Sequence, residues 1–357
     1  AGMIDSVRSV ARLPDPSGRV LTRTLLDDGL VLEKVSCPLG VLAVVFESRP
    51  DAVTQISALA VKSGNAAILK GGRESARSTA VLVASIRAGL AEAGLPEDAV
   101  QSVADRASVD ALLALDDLVD LVVPRGSNAL VKSIQERTRI PVLGHAEGVC
   151  HVYVDGAADP AMAVSIVLDA KLTYPAACNA VETVLVHEAA VPEVMLPLLG
   201  SLIAKGVEVR GCEETRSLAH GLPVAAATED DWRTEYGAPI VSVKVVGSLD
   251  EAIAWVNRYG SGHTEAIVTD DRVAAERFLA EVDAAGVYHN ASTRFADGYR
   301  YGLGAEVGIA TGKLHARGPV GLEGLVTYRW LLRGHGQVSA SYGPDGRPFR
   351  HERLPAG

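Results

Sequence analysis

The feature that most constrains this chain is its regular alternation of strand-length apolar runs with segments of helical periodicity. Val41 to Phe46 is an unbroken apolar run of strand length. Asp51 to Ser63 then carries apolar residues at helical spacing, with Asp51 placed to cap the helix and Gly64-Asn65 to stop it. Ala66 to Leu69 reads as the next short strand, and Ser75 to Ala93 as an Ala-rich helix ended by Gly94. Leu118 to Val123 is another strand, followed by Gly126-Ser127-Asn128 and a helix to about Thr138. This β-α-β-α order predicts a mostly parallel sheet with helices on both faces. Ligands on such sheets are expected in the crevice beyond the strand carboxyl ends.

The order repeats after Pro141. Strands are expected at His151 to Val154, Thr183 to His187, Val207 to Arg210, Val241 to Val246, Ala266 to Thr269 and Gly286 to Asn290. The helices between them are read at Ala161 to Thr173, Pro192 to Lys205, Leu249 to Arg258 and Arg272 to Ala284. Two stretches break the pattern. Val20 to Val35 reads as a hairpin around Asp27-Asp28-Gly29, and Gly324 to Val338 as a late strand pair with Gly334 and Gly336. Neither can bury itself alone, so both are candidates for pairing across a subunit interface. The tail from Ser339 to Gly357 is Pro/Gly-rich and expected to be loosely held. The first residues, Ala1 to Arg8, read like the middle of a helix, as though the chain began inside a longer natural protein.

Composition narrows the function classes. The 357 residues suggest two or three structural units, and 48% apolar content is enough for a buried core. The balance of 34 Lys+Arg against 44 Asp+Glu gives a net charge of −10, which disfavours a general nucleic-acid or anionic-membrane binder. No apolar run approaches the roughly 18 residues of a membrane span. Cys37, Cys150, Cys178 and Cys212 show no CxxC and no metal-finger spacing. Neither a disulfide framework nor a structural metal is expected, and a reducing compartment such as the cytoplasm fits.

Cys178 is the strongest chemical candidate. It sits in Tyr174-Pro-Ala-Ala-Cys-Asn179, where small residues and a proline make a turn after a helix. An exposed thiol there can reach a substrate, and nearby backbone N–H groups could raise its thiolate fraction; a buried inert thiol is the alternative. Cys37 and Cys150 lie in strand-like apolar contexts and read as core, whereas Cys212 reads as a surface turn residue without a role. His145, His151, His263 and His289 lie nearest the interesting loops, but no Cys–His dyad can be read from sequence, and a lone His is more often structural. HExxH, GxSxG, Walker A and GxGxxG patterns are absent. Three loops, Phe46 to Asp51, Leu69 to Glu74 and Pro124 to Asn128, follow strands and open helices. Glycines and helix N-termini there, with Lys or Arg beside them, suit phosphate groups. One such loop would be ordinary turn chemistry; three on one sheet edge favour an anionic ligand.

These strings carry a resemblance. Cys37-Pro-Leu-Gly-Val41, Val45-Phe-Glu-Ser-Arg-Pro-Asp51, Ser63-Gly-Asn65, Leu69-Lys-Gly-Gly72 and Val123-Pro-Arg-Gly-Ser-Asn128 run in order with Tyr174-Pro-Ala-Ala-Cys-Asn179, Thr234-Glu-Tyr-Gly237 and Ser261-Gly-His-Thr264. Asn290-Ala-Ser-Thr-Arg-Phe295, Tyr301-Gly-Leu-Gly-Ala-Glu306 and Ala316-Arg-Gly-Pro-Val-Gly-Leu-Glu-Gly324 complete the series. Together they resemble the γ-glutamyl phosphate reductases of the aldehyde dehydrogenase superfamily. Arg329-Trp-Leu-Leu-Arg-Gly334 and Phe349-Arg-His-Glu-Arg-Leu-Pro355 look most like the reductase domain of bifunctional pyrroline-5-carboxylate synthase, which would imply an N-terminally truncated reductase.

The resemblance implies an aldehyde dehydrogenase-like α/β fold with two doubly wound α/β domains and a β-hairpin oligomerisation element. The expected division is a cofactor-binding domain over 1–18 and 37–143, a catalytic domain over 144–316, and an oligomerisation hairpin and arm over 19–36 and 317–357. The implied reaction is NADPH-dependent reduction of L-glutamyl 5-phosphate to glutamate 5-semialdehyde and phosphate in proline biosynthesis, through a thioester. By position, Cys178 matches the nucleophile, Lys70 the lysine at the adenosine ribose, Gly126 and Ser127 the nicotinamide side, and Glu235 the nicotinamide ribose. Ser48 stands where the superfamily places its oxyanion Asn, and Asn179 or backbone N–H groups are the alternative donors. The Lys70-Gly71-Gly72-Arg73 loop is the candidate for the 2′-phosphate. Leu143-Gly-His-Ala-Glu147 does not preserve the deacylating glutamate of hydrolytic members. Arg49, Arg125, Arg294 and Arg317 are the candidates for the substrate's anions, with Glu47 or Glu306 for its ammonium. A glutamate 5-kinase partner and a homo-oligomer are implied; a metal, nucleic acid or membrane is not. Another acylating aldehyde dehydrogenase, or a silent assembly module for a kinase, remain the alternatives.

Overall fold

A computed structural model describes residues 2–47, 50–145, 147–344 and 346–356. The chain divides into two compact units, the first Ala1–Leu143, Gly302–Gly308 and Val320–Gly357, the second Gly144–Tyr301 and Ile309–Pro319.

The first unit holds two sheets. After α1 (Gly2–Arg12), β1 (Val20–Asp27) and β2 (Leu30–Pro38) form the expected hairpin. Gly29 takes φ +70° at its turn and the Asp27 carboxylate accepts from the Asp28 N–H at 2.8 Å. Then come β3 (Val41–Phe46), α2 (Asp51–Lys62), β4 (Ala66–Lys70), α3 (Ala76–Glu92), β5 (Val100–Ser102), α4 (Arg106–Leu113), β6 (Leu121–Arg125) and α5 (Asn128–Arg137). Their strands make a parallel sheet in the order β5-β4-β3-β6. Buried on both faces, β3 has no polar position to offer, so its sequence is continuously apolar.

Several sequence expectations are corrected here. Asp51 lies inside the first turn of α2, and Pro50 occupies the cap. The strand read from Leu118 begins at Leu121, because Leu118 and Val119 donate back to the Leu115 carbonyl as the end of a helical turn. The late segment supplies one strand, Val326–Arg333, rather than a pair. That strand lies antiparallel on β2 from Val326 opposite Pro38 to Arg333 opposite Val31. The residues just past it close over the hairpin turn: Gln337 Nε2 donates to the Asp28 carbonyl at 3.1 Å, and His335 Nδ1 lies 3.1 Å from the Gly29 carbonyl oxygen. The tail is tied down as well. Glu352–Leu354 pairs with β1, Arg350 binds the Asp28 carboxylate, and the Tyr342 hydroxyl donates to Asp27 at 3.0 Å.

The second unit is a seven-stranded parallel sheet flanked by helices. Its elements run β7 (Cys150–Val154), α6 (Pro160–Leu172), β8 (Val181–His187), α7 (Val191–Ala204), β9 (Glu208–Gly211), α8 (Glu213–Ser217) and β10 (Val224–Ala226). They continue with β11 (Ile240–Val246), α9 (Leu249–Tyr259), β12 (Thr264–Val268), α10 (Arg272–Glu281) and β13 (Gly286–His289). The strand order is β10-β9-β11-β8-β7-β12-β13. One face buries Val152, Val184 and Val243 under α6 and α7; the other buries Tyr153, Leu185 and Ile267 under α9 and α10. The helix read to Ala284 ends at Glu281, where Asp283 N–H turns to the Asn257 side chain at 2.8 Å. The three-residue strands β5 and β10 and the short α4 are too brief to show a period in the sequence.

An ion pair joins α6 to β8. Lys171 Nζ donates to Glu182 Oε2 at 2.6 Å, and both side chains are fully buried. Burial pushes the Glu182 carboxyl up, and the lysine opposes that shift and keeps the pair charged. Removing one partner of a buried pair typically costs about 3–5 kcal/mol, whereas replacing both by apolar groups is often neutral. Lys171→Met should therefore lower unfolding stability in urea by about that much, and Lys171→Met with Glu182→Leu should restore most of it. Equal losses in the single and double variants would show that the two charges are not coupled.

Candidate active site

Cys178 lies on the turn between α6 and β8, as the sequence suggested, and is half-buried. The turn is closed by Ala177 N–H to the Tyr174 carbonyl at 3.1 Å and Ala180 N–H to the Ala177 carbonyl at 2.8 Å. In a parallel α/β unit, a helix-to-strand turn sits at the amino edge of the sheet. Two more segments reach the same edge, one entering β7 with His145 and Gly148, the other entering β12 with His263. The expectation of a carboxyl-edge site therefore fails for the second unit. In the first unit the three candidate loops all leave strand carboxyl ends.

The edge gathers a sulfur and two imidazoles. His263 Nε2 lies 3.2 Å from Cys178 Sγ, and its Nδ1 faces the Thr264 hydroxyl at 2.8 Å. The His145 and His263 rings meet edge to face with centroids 4.9 Å apart. His145 Nδ1 sits 3.0 Å from the Ile309 carbonyl, which fixes it as the protonated nitrogen. Burial, helped by the charge that His145 would carry, pushes His263 down to about 3, so it is neutral at ordinary pH. The sequence could not reveal this dyad, because 85 residues separate its members. The one local signal is the place of His263 inside the string Ser261-Gly-His-Thr264, which names no partner for it.

The backbone beneath Cys178 is tightly fitted. A Cβ on Gly148 would lie 2.7 Å from Cys178 Cα and inside its carbonyl, so only glycine fits there. Gly148 N–H donates to Glu235 Oε2 at 3.0 Å, which ties that glutamate to the same loop. The Cys178 carbonyl accepts from the fully buried Cys150 thiol at 3.3 Å. Asn179 is buried; its amide donates to the Ala296 carbonyl at 2.8 Å, and its own carbonyl accepts from the Thr293 hydroxyl at 2.7 Å. These bonds hold Thr293–Phe295 against the turn. Arg294 is thereby brought close enough for Cys178 to count among the charges acting on it, although burial leads and lowers its pKa. Its Nε is buried without a hydrogen-bond partner among the described residues.

Ser48 and Arg49 lie outside the described residues. Arg125 donates to the Glu306 carbonyl at 3.2 Å and approaches its carboxylate at 3.8 Å, so two residues proposed for opposite ends of a substrate face each other. Arg317 binds Asp283 at 3.0 Å and the Thr311 carbonyl at 3.1 Å. In the first unit, Glu47 Oε2 accepts from the Ser127 N–H at 2.8 Å, so Glu47 serves the turn into α5. A Cβ on Gly71 would meet the Thr79 hydroxyl at 2.9 Å and the Ser75 hydroxyl at 3.1 Å. The buried Thr79 hydroxyl has no partner among the described residues. Ser127 caps α5 without using its side chain. A glycine floor and an unpartnered buried hydroxyl beside a helix N-terminus fit a dinucleotide's phosphates and ribose. Cys37 is half-buried rather than core. Cys212 has a structural role, because its Sγ accepts from the Thr215 N–H at 3.4 Å and caps α8.

Known proteins resemble the chain along most of its length. Residues 17–204 and 224–304 match the model of the aldehyde dehydrogenase family. A γ-glutamyl phosphate reductase of Cyanothece sp. is 59% identical over 355 residues, covering 99% of this chain and 81% of that protein. One from Synechococcus sp. is 60% identical over 353 residues, covering 98% and 77%. The crystal structure of the γ-glutamyl phosphate reductase from Thermotoga maritima superposes with a TM-score of 0.91 at 42% identity, over 94% of this chain and 81% of that one. An acetylating aldehyde dehydrogenase from Geobacillus thermoglucosidasius shares the fold at 18% identity, with a TM-score of 0.67 over 94% of this chain and 82% of that one.

The neutral His263 has a measurable consequence. Its pKa falls from 6.5 when unfolded to about 3 when folded, so between those values the unfolded chain binds the extra proton. Its contribution is complete above pH 6.5 and is lost as pH falls toward 3. His263→Gln should flatten the acid limb of the stability profile by up to about 1.4 kcal/mol per pH unit in that window, read by urea titration at each pH. An unchanged slope would mean that His263 protonates freely in the folded protein.

Proposed function

The chain belongs to the γ-glutamyl phosphate reductases of the aldehyde dehydrogenase family, and on that premise we propose how its own residues carry the reaction. The activity is the reduction of L-glutamyl 5-phosphate to glutamate 5-semialdehyde, an oxidoreductase step of proline biosynthesis. Cys178 is the acyl carrier, and the observation that supports this most directly is its half-buried sulfur on a turn that the surrounding backbone holds in place.

In this reading the Cys178 thiolate adds to the γ-carbonyl carbon. The resulting oxyanion is held by donors of the turn, for which the backbone N–H groups and the second amide hydrogen of Asn179 are the candidates. The carbon–oxygen bond to phosphate breaks, phosphate leaves with its electron pair, and a thioester remains on Cys178. The thioester carbon would accept hydride from a nicotinamide, NADPH by preference, held by Glu235 and the Lys70-to-Arg73 loop. Cleavage of the carbon–sulfur bond then releases the semialdehyde and returns the thiolate. Arg294, whose buried Nε has no hydrogen-bond partner among the described residues, takes an anionic group of the substrate. Glu235 orients the nicotinamide ribose, while Lys70, Gly71, Gly126 and Ser127 receive the adenosine ribose and phosphates. The Lys70-Gly71-Gly72-Arg73 loop is the proposed seat of the 2′-phosphate that selects NADPH.

The division of labour is then cofactor binding over 1–18 and 37–143, chemistry over 144–316, and self-association through 19–36 and 317–357. Val326–Arg333 is an end strand of its sheet, and it exposes Tyr328, Trp330 and Leu332 at 47%, 55% and 58%. An open edge carrying such side chains favours pairing with a second copy, so a homo-oligomer is proposed. An acyl phosphate is short-lived in water, which favours supply by an adjacent or fused glutamate 5-kinase. No described helix is long and apolar enough to cross a membrane. All four cysteines are free, which supports a reducing, cytoplasmic setting.

Two variants test this reading. Cys178→Ala should abolish phosphate-dependent reduction of NADP+ by glutamate semialdehyde while the fold and nucleotide binding persist; normal turnover would remove the covalent route. Arg294→Gln should raise KM for the anionic substrate by about tenfold or more, from the roughly 1.5–3 kcal/mol of a charge-assisted hydrogen bond. A KM that stays put would take Arg294 out of substrate binding.

A further inference from the structure

We propose that Cys178, His263 and His145 form a second kind of site, a reversible inhibitory one for a thiophilic divalent cation of the zinc class. One ligand atom from each of the three side chains lies within 4.8 Å of the others. Tetrahedral zinc holds sulfur at about 2.3 Å and imidazole nitrogen at about 2.0–2.1 Å, so ligand atoms around it sit some 3–4 Å apart. Cys178 Sγ and His263 Nε2 are already 3.2 Å apart. Shifts of about an ångström bring the whole set into range.

The outer contacts prepare the lone pairs. With His145 Nδ1–H donating to the Ile309 carbonyl, the neutral tautomer of the ring carries its lone pair on Nε2. The Thr264 hydroxyl at His263 Nδ1 can accept from that nitrogen and leave Nε2 with its lone pair toward the sulfur. Such fixing of the far ring nitrogen is the usual support of a histidine ligand. Cys178 and His145 are half-buried, so an ion has a way in, and three protein ligands leave a fourth position for water. One thiolate and two imidazoles select zinc-like ions over magnesium or calcium, which prefer oxygen.

Binding forms one metal–sulfur and two metal–nitrogen bonds and releases the thiol proton to solvent, with no change of oxidation state. Its effect on turnover rests on the reading of Cys178 as acyl carrier, because a coordinated sulfur cannot attack the acyl phosphate. Occupancy itself does not depend on that reading.

The test titrates the whole protein, free of added metal, with Zn2+ and separately with Co2+. The expected result is one tightly held ion per chain, a sulfur-to-cobalt charge-transfer band, and protection of Cys178 from alkylation by zinc. Cys178→Ser should lose the band, and His145→Ala, at a half-buried position, should weaken binding by about tenfold or more while circular dichroism stays native. Absence of saturable binding, or equal affinity in the unaltered protein and both variants, would overturn the proposal. The two readings fail separately. Cobalt ligation with full turnover in Cys178→Ala would sink the acyl carrier alone, whereas an inactive Cys178→Ala without metal binding in the unaltered protein would sink the metal site alone.

Discussion

The second unit depends on one buried contact, the ion pair between Lys171 and Glu182. The two residues stand at the feet of the turn that carries Cys178, one near the end of α6 and the other near the start of β8. A turn built from Pro175, Ala176, Ala177 and Asn179 has little side-chain volume of its own with which to hold a shape. Its geometry must therefore be imposed from its ends and from beneath. The ion pair sets the spacing between α6 and β8, Gly148 lies against the backbone of Cys178, and the Asn179–Thr293 bond closes the side. A buried pair is a poor source of net stability, because its desolvation offsets its attraction. What it supplies is directional: breaking it strands a charge, so competing arrangements of the turn are disfavoured.

The two units present their chemistry at opposite edges of their own sheets. In the first, strands feed forward into loops that open helices, and the dipoles at those helix starts suit anions. In the second, helices feed back into turns that open strands. Cys178 lies on a turn that follows α6 and opens β8, so side chains and backbone packing of the second unit supply its environment. The first edge suits the phosphates of a dinucleotide, and the second suits a covalent acyl group.

Much of this was legible because burial writes periodicity into sequence. The run Val41 to Phe46 could only be a strand buried on both faces, and Asp27-Asp28-Gly29 could only be a tight turn. The errors have a common cause. Val326–Arg333 and Glu352–Leu354 take their form from partners roughly three hundred residues away, and nothing local marks which strand they join. His263 and Cys178 meet because β8 and β12 both flank β7, a fact of strand order that spacing does not encode. Likewise the sequence favoured Arg294 over Arg125 and Arg317 only by its place in a polar loop, and tertiary structure shows that carboxylates already face the other two.

The neutral imidazole beside the sulfur bears on what a reductase must avoid. A thioester waiting for hydride is open to attack by water, and a nearby general base would hasten that loss. Base strength follows pKa, and an imidazole held near 3 by burial is too weak to activate water effectively. It can still exchange a hydrogen bond with the sulfur, because that needs only a lone pair or an N–H. Burial thus keeps the orienting use of His263 while suppressing its hydrolytic use. The same nitrogen, facing the sulfur across 3.2 Å, is one of the three ligand atoms of the proposed cation site. Protection from hydrolysis and exposure to metal therefore arise from one physical circumstance, a neutral nitrogen set 3.2 Å from a reactive sulfur.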